Sequence, residues 1–160
     1  MNQQLDRLAS ELQLSDPRNE ALRLAFCGAC GNRVRHLLED PRAVACLDVL
    51  LAFVAGQAPR EVFAQAQRDI AAIANSHRGS PSIDGTDHAA VSATYAVANA
   101  LAGKALDAAS YAAYAIVYAY GRYAVSDPSA FEGEFAWAVQ TLTDLARQHA
   151  TLNSACANPA

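Results

Sequence analysis

The chain of 160 residues contains one lysine, one methionine and one tryptophan, and only 18% of its residues are charged. Apart from Lys104 every basic side chain is arginine, and the formal net charge is -4. An acidic chain of this kind is not built to hold phosphates over a large surface, so nucleic acid is not an expected partner. No segment alternates apolar and polar residues for the length of a strand, and alanine stands where β-branched residues would be expected. Nor does any apolar run reach the length of about 18 residues that a membrane span requires. The longest, 108–120, is bracketed by Lys104, Asp107 and Arg122. The first residues lack the basic and apolar regions of a secretory leader, so the expected location is the cytoplasm. Cys27, Cys30, Cys46 and Cys156 are accordingly expected as free thiols and not as a disulfide framework.

The motifs that announce a reaction are missing as well. There is no Walker A loop, GxGxxG, GxSxG, HExxH or EF-hand loop, and the ExxH pairs of di-iron bundles do not occur. No helix is loaded with arginine in the manner of a DNA-recognition helix. The sequence therefore predicts no cofactor, no metal and no catalytic residue.

What the chain does have is 52% hydrophobic residues, enough for a substantial core in a single domain. Asp16-Pro17, Asp40-Pro41 and Asp127-Pro128 each place a capping carboxylate before a proline, the pairing that starts a helix. With Pro59, Gly85 and Gly103 as further punctuation, the pattern predicts an all-α bundle of about seven helices. They cover 2–14, 17–39, 41–55, 59–77, 86–102, 106–123 and 128–150. The first is an amphipathic helix within 1–15, the domain proper fills 16–150, and 151–160 reads as a frayed tail. The third helix is apolar almost all round, which predicts a place in the middle of the bundle. The fourth to sixth are rich in alanine and should pack closely on one another.

Four constellations are candidates for function. Cys27-Gly28-Ala29-Cys30 places two thiols on one helical face, but no second pair of ligands completes a tetrahedral site. The reading as small residues at a helix crossing is preferred. His77 and His88 flank the 78–85 loop with Asp84 and Asp87 nearby, a cluster that could hold a base or metal ligand or simply cap helix ends. Tyr111, Tyr114 and Tyr118 are spaced three and four apart on the sixth helix, with Tyr120 and Tyr123 on another face. Such a stripe reads either as core or as an interface. Asp127, Glu132 and Glu134 stand beside Phe131, Phe135 and Trp137 at the start of the last helix. Acids there suit the helix dipole, or form an acidic and aromatic patch for a basic partner.

Three segments in this order resemble a known family: CGNRVRHLLEDPR at 30–42, AAIANSHR at 71–78, and the alanine-rich stretch 89–120 with Tyr111 and Tyr114 in an Ala-Tyr-Ala setting. The family is the Imm-five-like immunity proteins of bacterial polymorphic-toxin systems, and the resemblance covers about 16–120. Leu38 stands where that family usually has phenylalanine, and Arg78 follows His77 directly. The resemblance implies a cytoplasmic protein that neutralises a cognate toxin by binding it, and it carries no catalytic residues to transfer. The expected contact residues are Asp84, Asp87, His88, Tyr111, Tyr114, Glu132, Glu134 and Trp137. An alternative is a metal-binding or small-ligand-binding helical protein, or an enzyme, centred on His77 and His88. A third reading is a homodimer with an apolar ligand between the fifth and sixth helices.

Overall fold

Three aspartates start the helical segments as expected. A carboxylate oxygen of Asp16, Asp40 and Asp127 accepts the N–H two residues on, from Arg18 at 2.8 Å, Arg42 at 2.8 Å and Ser129 at 2.9 Å. The proline between them supplies a helical φ and no N–H to satisfy. Asp40 leads directly into an α-helix. The other two lead into single 3-10 turns, Pro17–Asn19 and Pro128–Phe131, that pass into the helices after them.

A computed structural model describes residues 2–76 and 86–157, with the side chains of 86–87, 122–123 and 153–157 outside that description. Among the described residues there are seven α-helices and no strand, a single-domain all-α bundle. The helices are α1 (Gln3–Glu11), α2 (Glu20–Arg33), α3 (Pro41–Val54), α4 (Arg60–Ser76), α5 (Thr86–Leu101), α6 (Ala105–Ala119) and α7 (Glu132–Ala157). His77 and the 78–85 loop lie outside the described residues.

Several ends differ from the expected ones. α2 stops at Arg33, and a 3-10 turn, Arg35–Leu37, carries the chain onward before Leu38 extends toward Asp40-Pro41. A residue before proline is driven out of the α region, so a helix cannot run straight into Pro41. α6 stops at Ala119, and Gly121 follows with φ 128°, which puts Tyr120 and Tyr123 beyond the helix. α7 runs to Ala157, seven residues past the predicted end at 150, because nothing between 150 and 157 breaks a helix.

The short turns are closed by glycine. After α3 and α5, Gly56 (φ 72°) and Gly103 (φ 69°) take the left-handed conformation. The N–H groups of Gln57 and Lys104 then reach back to the carbonyls of Ala52 and Asn99, which completes two Schellman caps.

The middle of the bundle is α5, which packs against α2, α3, α4 and α6. Ala93, Ala96 and Ala100 of α5 and Ala108, Ala112 and Ala115 of α6 are almost wholly buried, and these methyl groups let the two helices lie close together. Around it, α2 contributes Leu22, Leu24, Phe26, Cys27 and Cys30, and α3 contributes Leu47 and Leu50 to one continuous core. α3 itself is not central. Ala45 and Val54 stand on its open side, and Asp48 points out to Arg35 at 2.6 Å. The hydropathy pattern misplaced it because alanine and valine can remain on a surface at little cost, so an all-apolar helix need not be covered all round.

Candidate functional site

The rings of α6 define the most distinctive surface. Ala108, Ala112, Ala115 and Ile116 turn one face of the helix into the core, and helical spacing then sends Tyr111, Tyr114 and Tyr118 to the other. Tyr111 and Tyr114 are 39% and 43% exposed, and the stripe continues onto neighbouring elements. Tyr95 of α5 stacks on Tyr111 with centroids 5.4 Å apart, and His88 of α5 stacks on Tyr118 at 5.3 Å. Tyr114 lies 6.2 Å from Tyr118 and meets the edge of Phe131 at 5.0 Å, and Phe131 is 6.4 Å from Phe135 of α7. Offset stacks and edge contacts at these separations are favourable ring geometries. The result is a shelf of rings across α5, α6 and the approach to α7, with Glu132 exposed beside it.

The expected contact residues fall into three groups. His88, Tyr111, Tyr114 and Glu132 lie on or beside the shelf. Glu134 and Trp137 are engaged inside the chain: Arg33 of α2 donates two hydrogen bonds to the Glu134 carboxylate, each 2.9 Å, and its guanidinium sits 4.6 Å from the Trp137 ring centroid. Asp84 and the side chain of Asp87 are outside the described residues. The paired-histidine cluster cannot be assembled either, since His77 is outside them and the described neighbour of the His88 ring is Tyr118.

Cys27 and Cys30 are fully buried in α2, as small residues at a crossing would be. The two glycines of the same segment show why: a Cβ on Gly28 would come 3.2 Å from Leu51 Cδ2, and one on Gly31 would come 2.7 Å from Leu47 Cδ1. Burial pushes the Cys27 thiol up to about 12, and Cys30 well above its ordinary value by burial first and the neighbouring Cys27 second. Such thiols are poor nucleophiles and poor ligands, because the thiolate is the reactive form. Among the described residues no three His, Cys, Asp or Glu side chains gather as a metal centre would require. No described helix is long and apolar enough to cross a membrane.

Sequence reasoning passed over Arg33 and Tyr95 as parts of these arrangements, and grouped Phe131 and Phe135 only with the acids and Trp137 of the last helix. Helical spacing groups residues within one element, and these four act across elements, so no spacing rule could have joined them. Compared with known proteins, the chain matches no family model, no curated protein and no solved structure.

Proposed function

We propose that the chain is a binding protein that recognises a protein partner through the aromatic shelf, and that it acts as an immunity protein blocking a cognate toxin in the bacterial cytoplasm. The observation that carries this reading is the half-exposed tyrosine pair Tyr111 and Tyr114, held in place by Tyr95, Tyr118 and Phe131. Tyrosine is among the residues that dominate interface energetics, since it presents a large apolar body with a polar tip at little conformational cost. Stacking on fixed neighbours prepays part of the ordering that association demands. Blocking a toxin needs only a complementary surface and slow release, and no chemistry. The likeness of the 30–42, 71–78 and 89–120 segments to Imm-five-like proteins supports the choice of partner, and Glu132 suits a partner with basic groups.

The test is co-expression with toxin domains encoded beside the gene. The chain should rescue growth from one of them, and the purified pair should form a complex. Tyr111→Ala/Tyr114→Ala should weaken that complex by about 30-fold or more, the size expected for losing two interface tyrosines, while the thermal midpoint moves little. Absence of rescue and of binding with every adjacent toxin, or a complex indifferent to the double substitution, would overturn the reading.

A further inference from the structure

Twice in this chain an arginine lies over an aromatic ring while a carboxylate holds its guanidinium. Arg33 sits 4.6 Å from the Trp137 ring centroid and donates to Glu134. Arg60 sits 5.1 Å from that of Phe53 and donates to Glu20 at 2.9 Å. The aromatic shelf presents rings and carboxylates of the same kind without the arginine. Asp107 stands one helical turn before Tyr111 and shares its face of α6, with Tyr114 a further turn on. Glu132 adjoins Phe131, whose ring is 5.0 Å from that of Tyr114. Both carboxylates are exposed, and neither makes a hydrogen bond or ion pair with another described residue. Lys104, at the N-cap of α6 a turn before Asp107, is not paired with it. α5, α6 and the Pro128–Phe131 turn contain no lysine or arginine, and the first in α7 is Arg147, about four turns along. The side chain of Arg122, in the connection after α6, is outside the described residues.

We propose that the shelf takes arginine side chains of the partner protein, with the guanidinium laid on the Tyr111 and Tyr114 rings and donating to Asp107 or Glu132. The face of an aromatic ring carries the negative part of its quadrupole, so ring and carboxylate favour a cation together. A guanidinium is planar and weakly hydrated. It can lie flat on a ring and still offer its fork of N–H groups to a carboxylate, as Arg33 does between Trp137 and Glu134. The ammonium of lysine is a compact, strongly hydrated charge that cannot stack, so the shelf should prefer arginine to lysine. The inference rests on the reading of the shelf as a binding surface, and not on the partner being a toxin.

The test is titration of the full chain with a capped Gly-Arg-Gly-Arg-Gly peptide and with its lysine counterpart, followed by the tyrosine ring resonances. The arginine peptide should shift Tyr111 and Tyr114 with a Kd in the millimolar range, and the lysine peptide should bind about threefold more weakly. Asp107→Asn/Glu132→Gln should weaken the arginine peptide by about threefold or more. Glu61→Gln, at an exposed acid of α4, should not. Tyr111→Leu/Tyr114→Leu keeps apolar bulk but removes the ring faces, so it should abolish the preference for arginine with unchanged helical circular dichroism. No binding, equal binding of the two peptides, shifts away from the shelf, or indifference to the carboxylate substitutions would each overturn the proposal. So would binding that emerges only in Arg122→Gln, because the chain's own arginine would then fill the shelf. A toxin complex weakened by Tyr111→Ala/Tyr114→Ala but indifferent to Asp107→Asn/Glu132→Gln would remove this inference and leave the immunity reading standing. Binding of the arginine peptide without rescue from any toxin would do the reverse.

Discussion

Arg33 and Glu134 are 101 residues apart in sequence and are joined by two parallel hydrogen bonds of 2.9 Å, Nε to Oε2 and Nη2 to Oε1. The Glu134 side chain is only 11% exposed, and Arg33 also covers the Trp137 ring. The guanidinium is held further above its ordinary value by the hydrogen bonds to this carboxylate. This contact ties α7 to α2, beside the buried Ala138 and Leu142 that pack α7 onto the core. Forked arginine–carboxylate pairs are the strong members of their class because both partners are planar.

Breaking that pair should cost more than breaking the exposed ones. Glu134→Ala leaves a partly buried guanidinium with no carboxylate, and a loss of about 1–2 kcal/mol is expected. Arg7→Ala, which removes the fully exposed pair with Glu11, should change stability by less than about 0.5 kcal/mol. Urea unfolding followed by Trp137 fluorescence measures both, and equal effects would show that the α2–α7 contact is not anchored at Arg33.

The three helical glycines should answer differently to alanine. At Gly31 the new methyl meets Leu47, which is fully buried, with Val97 and Ala100 behind it, so nothing can yield. Gly31→Ala should therefore destabilise by about 1–2 kcal/mol despite the better helix propensity. At Gly28 the neighbour is Leu51, only part-buried and able to swing aside, and the change should be close to neutral. Gly133 has open space around it, and Gly133→Ala should stabilise by about 0.5 kcal/mol. The order of the three thermal midpoints is the test.

Gln13 holds a left-handed backbone, φ 48°, at the end of α1, where the N–H of Leu14 reaches back to the carbonyl of Ala9. Other helices of this chain use glycine at that position. Gln13→Gly should relieve the strain of a side chain in that region and raise stability by about 0.5–1 kcal/mol. A fall in the unfolding midpoint would contradict the strain.

Stability should fall in alkali because of the buried thiols. Cys27 is raised to about 12 in the folded chain, and Cys30 is raised too. In the unfolded chain both return to ordinary thiol values near 8.5. Below that pH both states carry the proton and stability is unaffected. Above it the unfolded chain loses protons that the folded chain keeps, so stability declines as pH rises toward 12, by up to about 1.4 kcal/mol per pH unit for each thiol. Urea midpoints between neutral pH and pH 10.5 should fall more steeply for the wild type than for Cys27→Ala/Cys30→Ala, whatever the variant's starting stability. Parallel slopes would remove the thiols as the cause.

Much of the fold was legible. Asp-Pro pairs at 16, 40 and 127 capped the segments they were expected to cap, and alanine-rich 86–119 folded into the close pair α5 and α6. These are local effects, settled within a few residues of the cap or within one helical repeat. The aromatic stripe of α6 was legible for the same reason. Arg33 was not, because an arginine followed by valine in a helix says nothing about a glutamate on a distant helix. The exposed side of α3 escaped too, since hydropathy reports how apolar a helix is and not which neighbours are left to cover it.

Helix starts, helix type and the inward faces of the amphipathic helices were thus determined by the order of side chains alone, because caps, prolines and the 3.6-residue period act over a few residues. Which helix is central, which tyrosines join rings from α5 and from the turn before α7, and whether a given carboxylate is engaged by an internal arginine were decided only in three dimensions. Those outcomes depend on contacts between residues far apart in the chain, and such contacts exist only after the helices have packed.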